Sequence, residues 1–283
     1  MNYSKDPSVK KLVAQAVKED IGTGDITTRY VFPKANRINA VIVAREKGVV
    51  CGIEIAKMVF RAVDKNIKFS SSLRDAATVL RGMRVARLSG PAAGILSAER
   101  LALNFLGLLS GIATRTRVFA KKVKPHKIKI LDTRKTVPGL RLLEKYAVKT
   151  GGGCNHRLRL DDMVLIKENH IDVAGWDRVI NAVKAVKKNI PRIKIEIEAR
   201  NLREFDAAIK AKPDIIMLDN MKINDIKETV RRRDKFSPKT RLEASGNIDI
   251  VNIARYAVTG VDFISLGTLT KDIDSLDFSL EVI

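Results

Sequence analysis

Between Ile128 and Gly267 a short apolar run repeatedly gives way to a charged or glycine-containing loop. Ile128–Leu131 leads into Asp132-Thr133-Arg134-Lys135, Met163–Ile166 into Lys167-Glu168-Asn169-His170, and Ile193–Ile197 into Glu198. Ile215–Leu218 then leads into Asp219-Asn220, Leu242–Ala244 into Ser245-Gly246-Asn247, and Phe263–Leu266 into Gly267. Helical stretches are expected between these runs at Trp176–Lys188, Leu202–Lys210, Ile223–Asp234 and Ile250–Val258, with Pro191, Pro213 and Pro238 punctuating the returns. Strands alternating with helices build a parallel sheet, and in a closed βα barrel the loops after the strands gather at one end. That end would hold Arg, Lys, His, Asp and Glu together. The pattern predicts an enzyme that handles anions.

Upstream the rhythm is different. Asp6-Pro7 reads as a helix start, followed by the apolar stripe Val9, Leu12, Val13, Ala16 and Val17 and a stop before Gly22. Ile38–Arg45 alternates like a half-buried strand, Gly48–Gly52 is a turn or second strand, Ile53–Val63 a helix and Ile67–Ser70 a short strand. Ser97 is expected to cap a long helix carrying Leu101, Phe105, Leu108, Leu109 and Ile112. Its small residues Gly107, Ser110, Gly111 and Ala113 imply either close packing or a bend between domains.

The chain has 283 residues, room for a barrel and a smaller companion domain. No run of about 18 uncharged apolar residues is present, as a membrane span would need, and Met1–Lys5 lacks the pattern of a secretory leader. A cytoplasmic protein without a membrane partner is expected. Cys51 and Cys154 are too few for a disulfide framework and lack metal-ligand spacing. The net charge is +21, but the bases are scattered, as in Lys121-Lys122, Lys187-Lys188 and Arg231-Arg232-Arg233, and aromatics are only 5%. Without a basic arm or basic-aromatic motif, these charges read as solvated helix faces, and no nucleic-acid partner is expected.

The strand-end loops carry the chemistry. Arg134 offers a planar fork for carboxylate or phosphate, and Lys135 a mobile point charge. Gly151-Gly152-Gly153 lets the backbone turn tightly before Asn155-His156-Arg157. Lys167 should hold its ammonium at the barrel mouth, to bind an anion or, with a depressed pKa, to form a Schiff base. Glu198 and Asp219 could hold Mg²⁺ or ribose hydroxyls, because hard cations prefer oxygen. Ser245-Gly246-Asn247 and Gly267-Thr268 resemble loops that cradle phosphate through backbone N–H groups. His126, His156 and His170 share no metal spacing; His156 ranks first by its neighbours, and His170 can simply bond its own loop. No Walker or dinucleotide glycine pattern occurs. The sum suits an anionic acceptor meeting a phosphorylated sugar that leaves pyrophosphate behind.

These residues resemble a known family. LDTRKTVPGLRLLEKYAVKTGGGCNHRL at Leu131–Leu158 and MVLIKENHI at Met163–Ile171 are similar to the quinolinate phosphoribosyltransferases. EDIGTGDITT, SAERLALNFLGLLSGIATRT, IEIEARNL, IIMLDNM, LEASGNI and GVDFISLG extend the likeness over nearly the whole chain. The resemblance implies an α/β protein of the type II phosphoribosyltransferase class. An N-terminal open α/β sandwich, residues 1–112 with 271–283 returning to it, would accompany an incomplete TIM-like βα barrel, residues 113–270. It implies transfer of phosphoribosyl from 5-phosphoribosyl 1-pyrophosphate to quinolinate with decarboxylation, in NAD biosynthesis, with Mg²⁺ as cofactor. Arg134, His156, Arg157 and Lys167 would line the dicarboxylate pocket, and Arg100 would come from a neighbouring subunit of a homodimer or higher homo-oligomer. Lys135, Lys167, Glu198 and Asp219 would be the catalytic set, with Glu198 and Asp219 holding Mg²⁺ directly or through water. Ser245, Gly246, Asn247 and Gly267 would bind phosphate.

Two positions depart from the family pattern: Arg159 stands where Gly is common, and Ala93-Gly94 replaces a frequent Ala-Arg. Arg159 would be strained if its φ had to be positive. Competing readings are a molybdenum-transport-associated homologue of the same fold, a Schiff-base aldolase built on Lys167, and a basic nucleic-acid binder. The sequence Lys167-Glu168-Asn169-His170 favours the quinolinate enzyme over the first.

Overall fold

A computed structural model describes residues 3–32 and 36–283, so the first two residues of the N-terminal segment read above lie outside it. The chain opens with α1 (Pro7–Ile21), whose N-cap Asp6 accepts from Ser8 N and whose C-cap is Gly22. Next come α2 (Ile26–Val31), β1 (Arg37–Ala44), β2 (Gly48–Val49), α3 (Ile53–Val63), β3 (Lys68–Ser70), β4 (Thr78–Val79), β5 (Arg84–Pro91) and α4 (Ala92–Val123). Then β6 (Lys129–Leu131), α5 (Arg141–Gly151), β7 (Val164–Ile166), α6 (Glu168–Ala174), α7 (Trp176–Asn189) and β8 (Ile195–Ala199) follow. The chain ends with α8 (Leu202–Lys210), β9 (Ile215–Asp219), α9 (Ile223–Phe236), β10 (Arg241–Ser245), α10 (Ile253–Ala257), β11 (Phe263–Ser265), α11 (Thr268–Lys271) and β12 (Phe278–Val282).

Two compact units emerge. The first gathers Met1–Arg117, Thr136–Gly152 and Leu269–Ile283. Its main sheet is antiparallel with order β12-β1-β5-β3, so the C-terminal strand returns to pair with β1. The face of α3 carrying Ile55, Ala56, Val59 and Phe60 is buried, and Phe60 lies 5.9 Å from the Phe69 ring of β3. A helix stripe laid on a sheet face is the open sandwich expected.

The helix α4 starts at Ala92, directly after β5, rather than at Ser97. Ser97 is therefore not its cap: inside the first turns, its hydroxyl donates to Asp25 Oδ2 at 2.8 Å. The small residues serve close packing. A Cβ at Gly107 would stand 2.8 Å from the Leu276 carbonyl oxygen, and one at Gly111 only 2.0 Å from that of Asp274. This helix is long and apolar enough to cross a membrane, yet 61% of its most apolar window is buried within the protein, as in a core helix.

The second unit comprises Val118–Lys135 and Gly153–Thr268. Its six strands are all parallel, in the order β6-β11-β10-β9-β8-β7. Cys154 adds one parallel bridge to Leu131 beside β6. Among the described residues no pairing joins β6 to β7, so the barrel is incomplete. Every residue of β8, Ile-Glu-Ile-Glu-Ala, is buried. Strand parity places Glu196 and Glu198 on one face and the two isoleucines on the other.

Candidate active site

Strand parity builds the site in the second unit. A cavity of about 320 Å³ opens at the C-terminal ends of the parallel strands. Residues two apart along a strand or just past its end share it: Leu165 with Lys167, Met217 with Asp219, and Glu243 with Ser245. Arg134, Lys135, His156, Arg157 and Glu198 complete its charged wall. Eight expected site residues thus meet in one cavity of the size that takes small ligands.

The loop after β6 is held by Asp132, which is fully buried. Its Oδ1 accepts from His156 N at 2.9 Å, and its Oδ2 accepts from Asn155 Nδ2. Arg157 Nη1 donates to the Met163 carbonyl at 3.0 Å, while its buried Nε has no protein acceptor. Burial, followed by the charge of Arg134, lowers the Arg157 pKa. An anion would relieve both penalties.

Lys167 Nζ lies 3.0 Å from Glu198 Oε2 and 3.6 Å from Glu168 Oε2. Burial opposes the lysine charge, but the bond and charge of Glu198, with Glu168 and Asp219 behind it, leave its pKa above the usual value. A Schiff-base amine needs the opposite shift, so the geometry disfavours the aldolase reading. Glu198 itself is pushed up, first by burial and then by its hydrogen bond with Glu168, against the pull of Lys167. His170 lies in the first turn of α6, where its Nδ1 accepts from Lys167 N at 2.9 Å and caps the helix.

The loops after β9 and β10 are tied together. Asn220 Nδ2 donates to Asp219 Oδ2 at 2.8 Å, and Asn247 Nδ2 donates to Asn220 Oδ1 at 2.9 Å. Gly246 has φ +93°, and a Cβ there would fall 2.3 Å from Asn220 Oδ1, so only glycine fits. Gly246, Asn247 and Gly267 do not line the cavity itself. Gly267 instead lies under Lys135, 3.2 Å from that side chain's Cδ to an added Cβ.

Arg100 is an exposed residue of α4 in the first unit, where it borders a depression with Asn104, Leu108 and Phe278. Arg159 is exposed, bonded to Asp161 at 2.9 Å, and absent from the residues with positive φ. Arginine therefore imposes no backbone strain there.

Sequence reasoning missed Glu196, Glu243 and Asp132. Glu196 and Glu243 are fully buried acids inside otherwise apolar strands, and His156 Nε2 lies 2.9 Å from one and 3.7 Å from the other. The available signal was parity: each stands two residues before a site residue on its own strand.

Residues 25–110 match the family described as quinolinate phosphoribosyl transferase, N-terminal domain, and residues 112–281 match its C-terminal domain. A protein of Mycobacterium leprae named nicotinate-nucleotide pyrophosphorylase [carboxylating] is 38% identical, covering 97% of each chain. A Bacillus subtilis protein named as a probable nicotinate-nucleotide pyrophosphorylase [carboxylating] is 41% identical over 97% of this chain and 93% of its own. The solved structure of the nicotinate-nucleotide pyrophosphorylase from Francisella tularensis is 44% identical, with a TM-score of 0.92 over 99% of this chain and 98% of that one. The mixed fold, the incomplete parallel barrel and these matches over both domains agree: the chain belongs to the quinolinate phosphoribosyl transferase family.

Proposed function

We propose that this chain transfers phosphoribosyl from 5-phosphoribosyl 1-pyrophosphate to quinolinate, releasing pyrophosphate and CO₂ and leaving nicotinate mononucleotide for NAD biosynthesis. The observation that carries this reading is the cavity in which Arg134, Lys135, Arg157 and Lys167 face Glu198 and Asp219 across the strand ends. A dicarboxylate entering so small a space needs several cations, because a buried unpaired carboxylate is costly. Arg157, with a buried unpaired Nε, and Lys167 are placed to bind it, joined by Arg134.

The acids serve the sugar. As the bond to pyrophosphate weakens, positive charge develops on the ribose, and Glu198 and Asp219 stabilise it. Lys135, resting on Gly267, takes charge from the departing phosphates, and the Ser245–Asn247 loop holds the 5-phosphate. The pyridine nitrogen attacks the sugar carbon, and the resulting cationic ring accepts the electron pair when the adjacent carboxylate leaves as CO₂. No protein base is required for that step.

The acid pair fits Mg²⁺ through water. Asp219 keeps one carboxylate oxygen on Asn220, and Glu198 is already bonded to Lys167, so both suit a hydrated ion better than a dehydrated cage. Bound with pyrophosphate, Mg²⁺ would neutralise the leaving group's charge. Arg100 is proposed to reach a partner's cavity in a homodimer or larger homo-oligomer, and a cytoplasmic setting is proposed for the chain. Incubation with quinolinate, the phosphoribosyl donor and Mg²⁺ should yield nicotinate mononucleotide. Absence of product at high enzyme concentration would sink the assignment.

A further inference from the structure

At the wall of the cavity, His156 and Glu243 meet Glu196 in a cluster whose two glutamates the transfer chemistry leaves unused. His156 Nε2 stands 2.9 Å from Glu196 Oε2 and 3.7 Å from Glu243 Oε2, and both glutamates are fully buried. Neither carboxylate has a conventional hydrogen-bond partner of good geometry, and Ser265 is the other polar side chain beside Glu243. The three ligand-type atoms lie within 4.8 Å of one another, a spacing that a transition metal could bridge. The opposite edge of the ring decides between a metal and a proton. His156 Nδ1 accepts the backbone N–H of Arg157 at 2.8 Å, so Nδ1 carries a lone pair and the ring proton is on Nε2. A metal-ligating histidine has the reverse arrangement, with the lone pair toward the ion and the other nitrogen donating. The cluster is therefore built around a proton.

We propose that Glu196, backed by Glu243, is a positioning residue for His156. It holds the ring with Nε2–H toward the barrel interior, so that the His156–Arg157 turn presents Arg157 to the acceptor's carboxylate in one fixed geometry. The bond from Arg157 N to the ring makes the coupling direct, because a rotated ring would release the backbone that carries the guanidinium. Asp132 fixes the same turn from its other side through His156 N. Burial, then the Glu196 charge, raises the Glu243 pKa, against smaller pulls from His156 and Ser265. Arg157 and Lys167 are the cations, and Glu198 the further acid, whose charges act on Glu196.

This inference rests on the proposed acceptor chemistry, but its first test needs no substrate. The chain has only three histidines, so ¹⁵N-imidazole labelling gives few ring signals, assigned with His126→Gln and His170→Gln. His156 should show the neutral Nε2–H tautomer in the wild type; an imidazolium or an Nδ1–H ring at neutral pH would overturn the proposal. Glu196→Ala should mix the tautomers and raise the quinolinate KM about tenfold or more, with kcat and the donor KM within about threefold. Glu196→Gln, whose amide oxygen keeps a neutral acceptor opposite Nε2, should restore the tautomer and most of the KM. Should Glu196→Ala not fold, the wild-type tautomer and the Glu196→Gln values still decide. A folded Glu196→Ala protein with an unchanged ring signal and KM would refute the positioning role. Failure of the wild type to turn over quinolinate would strike the function while leaving the tautomer result intact.

Discussion

Glu144 shows how one residue can report on the interior. It is fully buried in α5, with Oε1 accepting from Val137 N at 3.2 Å and Oε2 without a partner. Burial pushes its pKa up from 4.5 to about 7, against smaller pulls from that backbone bond and from Arg141. Below the unfolded value both states hold the proton; between the two values only the folded state does. Its contribution to stability is thus complete at low pH, fades as pH rises through about 7, and is gone above it. Glu144→Gln should remove that slope, changing the wild-type-minus-variant stability by up to about 3 kcal/mol between acid and neutral pH. Urea denaturation at several pH values would read it, and a pH-independent difference would contradict the assignment. For Lys167, borohydride in the presence of carbonyl compounds should trap no adduct, because its pKa is raised; mass-spectrometric detection of a reduced adduct at Lys167 would reverse that conclusion. At this scale the sequence revealed the exposed half of the site. Arg134, Lys135, Lys167 and Asp219 stand at strand ends, where charge after an apolar run is conspicuous. Glu196 and Glu243 stayed hidden because burial of an acid depends on partners from other strands.

At the scale of elements, periodicity carried most of the reading. Runs ending in Leu131, Ile166 and Leu218 became strands because parallel strands covered on both faces are continuously apolar. By contrast, β5 passed unnoticed: Arg84, Arg87 and Ser89 interrupt its apolar alternation, and tertiary pairing with β1 and β3 defines it. The early start of α4 was likewise illegible, since Ser97 is a good cap by type but is engaged by Asp25 from far away in sequence. Gly111 supplies a sharp test. Alanine normally stabilises a helix interior by about 1 kcal/mol over glycine. Here its Cβ would meet the Asp274 backbone oxygen at 2.0 Å, so Gly111→Ala should lower stability by about 1–3 kcal/mol instead. A raised melting temperature in that variant would show that the 274–276 segment does not pack against α4 as described.

The whole molecule combines a strand-end cavity lined by cations and acids with a strongly basic exterior. Much of the surface charge is paired locally: Arg200 contacts Asp172 and Glu204, and Arg232 contacts Asp206 and Glu228. Such exposed pairs contribute little stability, and nothing in the structure explains the net charge of +21. Assembly has its own test. Mixing Arg100→Ala subunits with Lys167→Ala subunits should recover activity in hybrid oligomers, because one site per hybrid keeps both residues. Inactive hybrids that demonstrably form would argue for sites complete within each chain. The central claim is that the cation-lined cavity carries out a decarboxylating phosphoribosyl transfer. It is tested most directly with quinolinate labelled at the 2-carboxylate, by counting CO₂ and pyrophosphate released by the wild type and by Arg157→Ala. Equal amounts of both products are expected from the wild type, and about a hundredfold loss of kcat/KM for quinolinate in a folded Arg157→Ala protein. Pyrophosphate released without labelled CO₂, or an Arg157→Ala enzyme as active as the wild type, would contradict it.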